Sequence, residues 1–153
     1  MVRLLIGDWR NLQHLDLSNN CLDCHATENL DLFEFAALET LNLQGNDVLN
    51  IVGISGLVGC LWPMLKVLDL RCKDPLKLLS TSDLRLLLVN RWCKLDCLKL
   101  SVADFVGVVQ MLGSKASWNA HQGMYEVTTQ LFSYSPFLKT ILFDQGRDSK
   151  TAC

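Results

Sequence analysis

The chain has 153 residues, half of them hydrophobic, with 14 Lys and Arg against 16 Asp and Glu and a formal net charge of −2. That is one domain's worth of sequence, and the near-balance of charge, with no basic run interleaved with aromatics, argues against nucleic acid as a main partner. A mean hydropathy of +0.21 is high for a soluble protein and asks for one continuous core.

In chain order, Leu4, Leu5 and Ile6 open the sequence in an apolar stretch too short for a signal peptide. Trp9 follows, with Leu12, Leu15 and Leu17 behind it, and the same spacing returns at Phe35 (Leu38, Leu41, Leu43), Trp62 (Leu65, Leu68, Leu70) and Trp92 (Leu95, Leu98, Leu100). Leu4, Leu30, Leu57 and Leu87 each stand five residues ahead of the aromatic. Five aligned columns predict four similar units, stepping by 26, 27 and 30 residues. Within each unit the leucines predict a short strand with its alternate residues facing outward. The segment between strands is long enough for about two helical turns. Ser82-Asp83 ahead of a leucine run, and Asp104 ahead of Phe105–Leu112, look like helix starts. The aromatic column sits where each return meets its strand and predicts a stacked spine.

Val48–Leu65 is 18 residues without a charge, near the length that can span a bilayer. It holds Asn50, Ser55, three glycines and Pro63, and keeps Leu57, Trp62 and Leu65 in their columns, so a buried segment is expected and no membrane contact. After the fourth unit, residues 113–123 are polar and glycine-bounded and predict an inserted loop carrying Trp118. Leu138–Phe143 is a last, degenerate strand, and residues 147–153 a disordered tail. The expected organisation is one array over 1–146, with units near 4–29, 30–56, 57–86 and 87–129 and a degenerate 130–146.

The first two units continue as Leu12-x-x-Leu15-x-Leu17-x-x-Asn20-x-Leu22 and Leu38-x-x-Leu41-x-Leu43-x-x-Asn46-x-Val48. This resembles the leucine-rich-repeat superfamily, in its longer, intracellular-type units. Asn20 and Asn46 would satisfy backbone groups where the chain leaves the sheet. The resemblance implies an α/β solenoid, a curved parallel β-sheet of about five strands backed by short helices. It also implies a non-catalytic module docking a protein partner on the concave strand face, a scaffold. The outward positions there are His14 and Thr40; Asp16, Asn42, Asp69 and Lys99; Ser18, Gln44, Arg71 and Ser101. Trp118 is a further loop contact, since no column accounts for it.

Two alternatives come from other classes. Cys21-x-x-Cys24-His25 has the spacing of a haem-attachment motif, and its donors also suit zinc, which would make a metal- or haem-binding redox module. Against it, Leu22 is a core position, and Asn46, Asp47 and Val48 of the next unit offer no thiol or imidazole as a fourth ligand, so no cofactor is expected. The other alternative is a truncated repeat fragment without activity of its own, because no cap precedes the first unit; that uncapped end would also allow self-association. No enzyme is expected. His14 and Cys97 share a column but lie three strands apart, about 14 Å, where a dyad needs about 3 Å. Seven cysteines without regular spacing predict reduced thiols and a cytoplasmic protein.

Overall fold

The computed structural model describes residues 9–23, 25, 30, 34–46, 51–72, 80, 82–83, 86–87, 92–101, 116–119, 124–128 and 140–144. Four strands begin with the same local device. The amide of Leu12 donates to the Trp9 carbonyl at 3.0 Å, Leu38 to Phe35 at 3.4 Å, Leu65 to Trp62 at 3.2 Å and Leu95 to Trp92 at 3.0 Å. Each aromatic and the leucine three residues on therefore bracket a tight turn. The pair between them faces water to varying degree, as at Arg10-Asn11 and Cys93-Lys94, where both residues are exposed.

The strands are β1 (His14–Asp16), β2 (Thr40–Asn42), β3 (Val67–Asp69) and β4 (Cys97–Ser101). All are parallel to their neighbours, with Leu15 beside Leu41, Leu41 beside Leu68 and Leu68 beside Leu98. This is the column alignment read from the spacing. Inward leucines at every other position then form the core: Leu38, Leu41, Leu43, Leu65, Leu68, Leu70, Leu98 and Leu100 are each at most 1% exposed. Burying one such side chain stabilises the fold by about 2 kcal/mol.

Between β2 and β3 lies one helix, α1 (Ile51–Gly59), which buries Leu57 and ends with the Cys60 amide on the Leu57 carbonyl at 3.1 Å. No described helix is long and apolar enough to cross a membrane. A second helical segment includes Ser82 and Asp83. Its cap is Ser80 rather than Ser82: the Asp83 amide donates to Ser80 Oγ at 3.1 Å, and Asp83 Oδ2 accepts the Ser80 amide at 3.2 Å. This is a reciprocal box spaced three residues apart.

In the far half the expected last strand is present beside β4, but what precedes it departs from expectation. β5 (Ala116–Asn119) and β6 (Met124–Thr128) form an antiparallel pair, and β6 pairs antiparallel with β7 (Thr140–Asp144), which runs parallel to β4. The sheet order is β1-β2-β3-β4-β7-β6-β5. Residues expected as an inserted loop thus include a strand, with Trp118 opposite Tyr125. The expected tail and the helix after Asp104 lie outside the described residues.

The leucine-rich-repeat solenoid is corrected accordingly. Among the described residues one helix is bounded against five adjacent parallel strands, β1–β4 and β7, and antiparallel β6 and β5 make the sheet mixed rather than a parallel ladder. A repeat sheet curves because a helix about 10 Å wide backs every strand spaced about 4.8 Å from the next. Without repeated helix-backed units among the described residues, that wedge and its concave face are not established. The molecule is a small α/β domain. The fragment reading presupposed the repeat architecture and falls with it.

Candidate functional site

The outward polar residues do come together, and their side chains are engaged with one another. Asp16, Asn42 and Asp69 each accept the amide two residues on, from Ser18 at 2.8 Å, Gln44 at 3.0 Å and Arg71 at 3.3 Å. A short side-chain acceptor at this position closes the end of a strand. Asn42 Nδ2 also donates to Asp16 Oδ2 at 3.1 Å. Hydrogen bonds from Ser18 first, and from Asn42, hold the Asp16 carboxyl below its ordinary value.

Asp69 is buried beneath a fork of Arg71, with Nε on Oδ1 at 2.9 Å and Nη2 on Oδ2 at 2.7 Å, and with Lys99 Nζ at 3.8 Å. The same guanidinium reaches Gln44 Oε1 at 2.8 Å. A bidentate pair of this kind is held by geometry as well as by charge. Ser101, also buried, accepts the Cys72 amide at 2.8 Å. His14 is exposed and Thr40 half-buried. Asp16, Asn42, Gln44, Asp69, Arg71 and Ser101 therefore cap and cross-link strand ends. The protein-docking function assigned to them is corrected, because it rested on a concave repeat face.

At the strand exits, buried Asn46 donates to the carbonyls of Leu17 (2.8 Å) and Leu43 (2.9 Å) and accepts the amides of Asn20 (2.9 Å) and Leu22 (3.0 Å). One amide thus satisfies four backbone groups. The side chain of Asn20, exposed at the sheet edge, donates to the Ser18 carbonyl at 3.1 Å.

The metal or haem module is also corrected. Among the described residues no group of three His, Cys, Asp or Glu could hold an ion. Cys21 and His25 are both exposed, the His25 amide bonds Asp23 at 3.1 Å, and Cys24 lies outside the described residues.

A vacant cleft lies elsewhere among the described residues, at the corner where returns meet strands. Trp62 and Trp92 are buried and stack with ring centroids 5.8 Å apart and planes at 13°, a favourable offset arrangement. The Trp92 indole N–H donates to the Cys60 carbonyl at 3.2 Å, which satisfies its polar end. Beside this pair opens a cleft of about 530 Å³. Buried Phe35, Trp62 and Trp92 form its floor, while Ala36, Leu61, Pro63 and Cys93 form an exposed rim. Leu61 is 85% exposed, an unusual position for leucine in so apolar a chain. Glu34 is the one charged group among the described lining residues, and it pairs with Arg10 at 3.1 Å on the open surface.

The aromatic column was expected as core, and the cleft beside it was not foreseen. A signal was present nonetheless. The residue before each aromatic is Asp8, Glu34, Leu61 and Arg91, charged in three units and apolar in the third. The turn pairs Ala36-Ala37 and Pro63-Met64 likewise lack charge, where Arg10-Asn11 and Cys93-Lys94 carry it. Apart from Glu34, charge is withdrawn from the described surface where the cleft opens.

Comparison with known proteins finds no matching family model, no matching curated protein and no matching solved structure. The leucine-rich-repeat resemblance thus stands on local spacing alone and does not place the chain in that family.

Proposed function

We propose that this domain is a non-catalytic binding module that takes a flat, largely apolar small molecule into the corner cleft, in the reducing environment of the cytoplasm. The carrying observation is the cleft of about 530 Å³ between Phe35, Trp62, Pro63 and Trp92. Its size falls in the range of small-molecule sites, roughly 300–1,000 Å³, and such sites are mostly apolar with few polar groups. The floor belongs to three buried aromatics whose positions are set by backbone turns, so it is rigid before any ligand arrives. Little ordering cost then opposes binding. Glu34 at the rim is already paired with Arg10, which favours a neutral ligand. Cysteine usage without a disulfide-like spacing supports the compartment.

The test is a titration with the neutral fluorescent dye N-phenylnaphthylamine. The native chain is expected to bind it saturably at one site. Leu61→Asp, which alters only the rim, and Ala36→Phe, which fills the cleft, should each weaken binding about tenfold or more, equivalent to about 1.4 kcal/mol. Equal binding by native chain and both variants would refute the reading.

A further inference from the structure

We propose that a second copy of this chain pairs antiparallel with the outer edge of β1, about a two-fold axis at Leu15. The direction of the backbone groups is the starting point. The Gln13 carbonyl accepts the Thr40 amide at 3.0 Å, and the amides of Leu17 and Asn19 donate to Asn42 at 2.9 Å and Gln44 at 2.8 Å. Odd-numbered residues thus face β2, and alternation turns the amides and carbonyls of His14, Asp16 and Ser18 outward. At Ser18 both outward groups are used: its amide by Asp16 Oδ1 at 2.8 Å, its carbonyl by Asn20 Nδ2 at 3.1 Å. That leaves His14 and Asp16, whose outward backbone groups meet no partner among the described residues.

This short edge is complementary to itself. In an antiparallel pair centred on Leu15, His14 lies opposite Asp16 of the second copy, and Asp16 opposite its His14. These two positions exchange both backbone bonds, giving four in all, and set an imidazole N–H donor against a carboxylate twice. The apolar side agrees. Trp9, Leu12, Leu15 and Leu17 are only partly buried, whereas Phe35, Leu38, Leu41 and Leu43 at the matching positions are 3% exposed or less. A second copy would continue the core across the axis. Three paired residues span about 10 Å and bury less than the roughly 800 Å² per partner of a standard interface. The dimer is therefore weak and concentration-dependent.

Sedimentation equilibrium on the full chain tests this, from about micromolar to about millimolar protein. The mass should rise from 17.2 kDa towards twice that value. His14→Pro removes an amide that points away from β2, so the β1–β2 ladder survives; it should remain monomeric across the range with an unchanged circular dichroism spectrum. His14→Glu sets like charges across the axis and should raise the dissociation constant about tenfold or more. A native mass constant at 17.2 kDa overturns the proposal. So does a folded His14→Pro that dimerises like the native chain. Should His14→Pro disturb the fold, an unchanged dissociation constant for His14→Glu would overturn it equally. None of these outcomes depends on the corner cleft.

Discussion

The polar rows of β1–β4 and the aromatic corner at their amino-terminal ends belong to the same strands, yet they differ in what remains unused. On the rows, Asp16, Asn42, Asp69, Arg71 and Ser101 spend their polar atoms on their own and neighbouring strand ends. At the corner, Phe35, Trp62 and Trp92 are buried and fixed, but apolar volume beside them stays open. An exposed polar pattern is weak evidence for recognition when each group already has a local partner. An unfilled cleft over a rigid apolar floor is stronger evidence, because the protein has left that surface unsatisfied.

The contrast can be broken by substitution. Trp92→Ala removes the stacked ring and the bond to Cys60, and should cost about 3–5 kcal/mol, read as a lower urea midpoint together with loss of dye binding. Asn46→Ala strips four backbone groups of their buried partner and should cost about 2–3 kcal/mol. It lies away from the corner, so the protein that remains folded should bind dye with native affinity; loss of binding there would erase the distinction between the two regions. Gly45 has φ +73°, and an added Cβ would run into the Asn19 side chain. Gly45→Ala should cost about 1–2 kcal/mol, again without touching the dye site.

The smallest effect is a pH dependence on the strand side. Lys66 first, then His14 and Lys94, hold the Glu39 carboxyl below its ordinary value of 4.5, and the Lys66–Glu39 contact is 2.8 Å. A depressed folded-state value means the contribution is present above the unfolded value and is lost as pH falls through the folded one. Urea midpoints should therefore decline as pH drops below about 4.5, and Glu39→Gln should make that decline slightly shallower. Lys66 is exposed and Glu39 half-buried at the surface, so solvent screens the pair and the change is small.

Much of the strand arrangement was legible in the sequence. An aromatic, two turn residues and a leucine describe a turn closed by one backbone bond, and the next two leucines define an inward column. Such local spacing reports how a short strand presents its side chains. It does not report what backs the strand, which is why the resemblance to a repeat family led to a solenoid that the mixed sheet does not support. The strand within 113–123 escaped notice because β5 is defined by pairing with β6 rather than by an apolar alternation. Ser82 was favoured as a cap because an acidic residue follows it, but the reciprocal bonds need a three-residue spacing, which Ser80 and Asp83 provide. The polar rows were located correctly as neighbours, while their mutual bonds depend on rotamers that spacing does not encode. The cleft was hidden because the same aromatics serve as core on one side and floor on the other.

The indole N–H resonances offer the most direct test of the corner site. The chain has four tryptophans, Trp9, Trp62, Trp92 and Trp118. In a nitrogen–proton correlation spectrum recorded during titration with N-phenylnaphthylamine, the Trp62 and Trp92 indoles should shift saturably while Trp9 and Trp118 stay in place. Shifts confined to Trp9 or Trp118, or to the amides of Asp16, Asn42 and Asp69, would contradict the account.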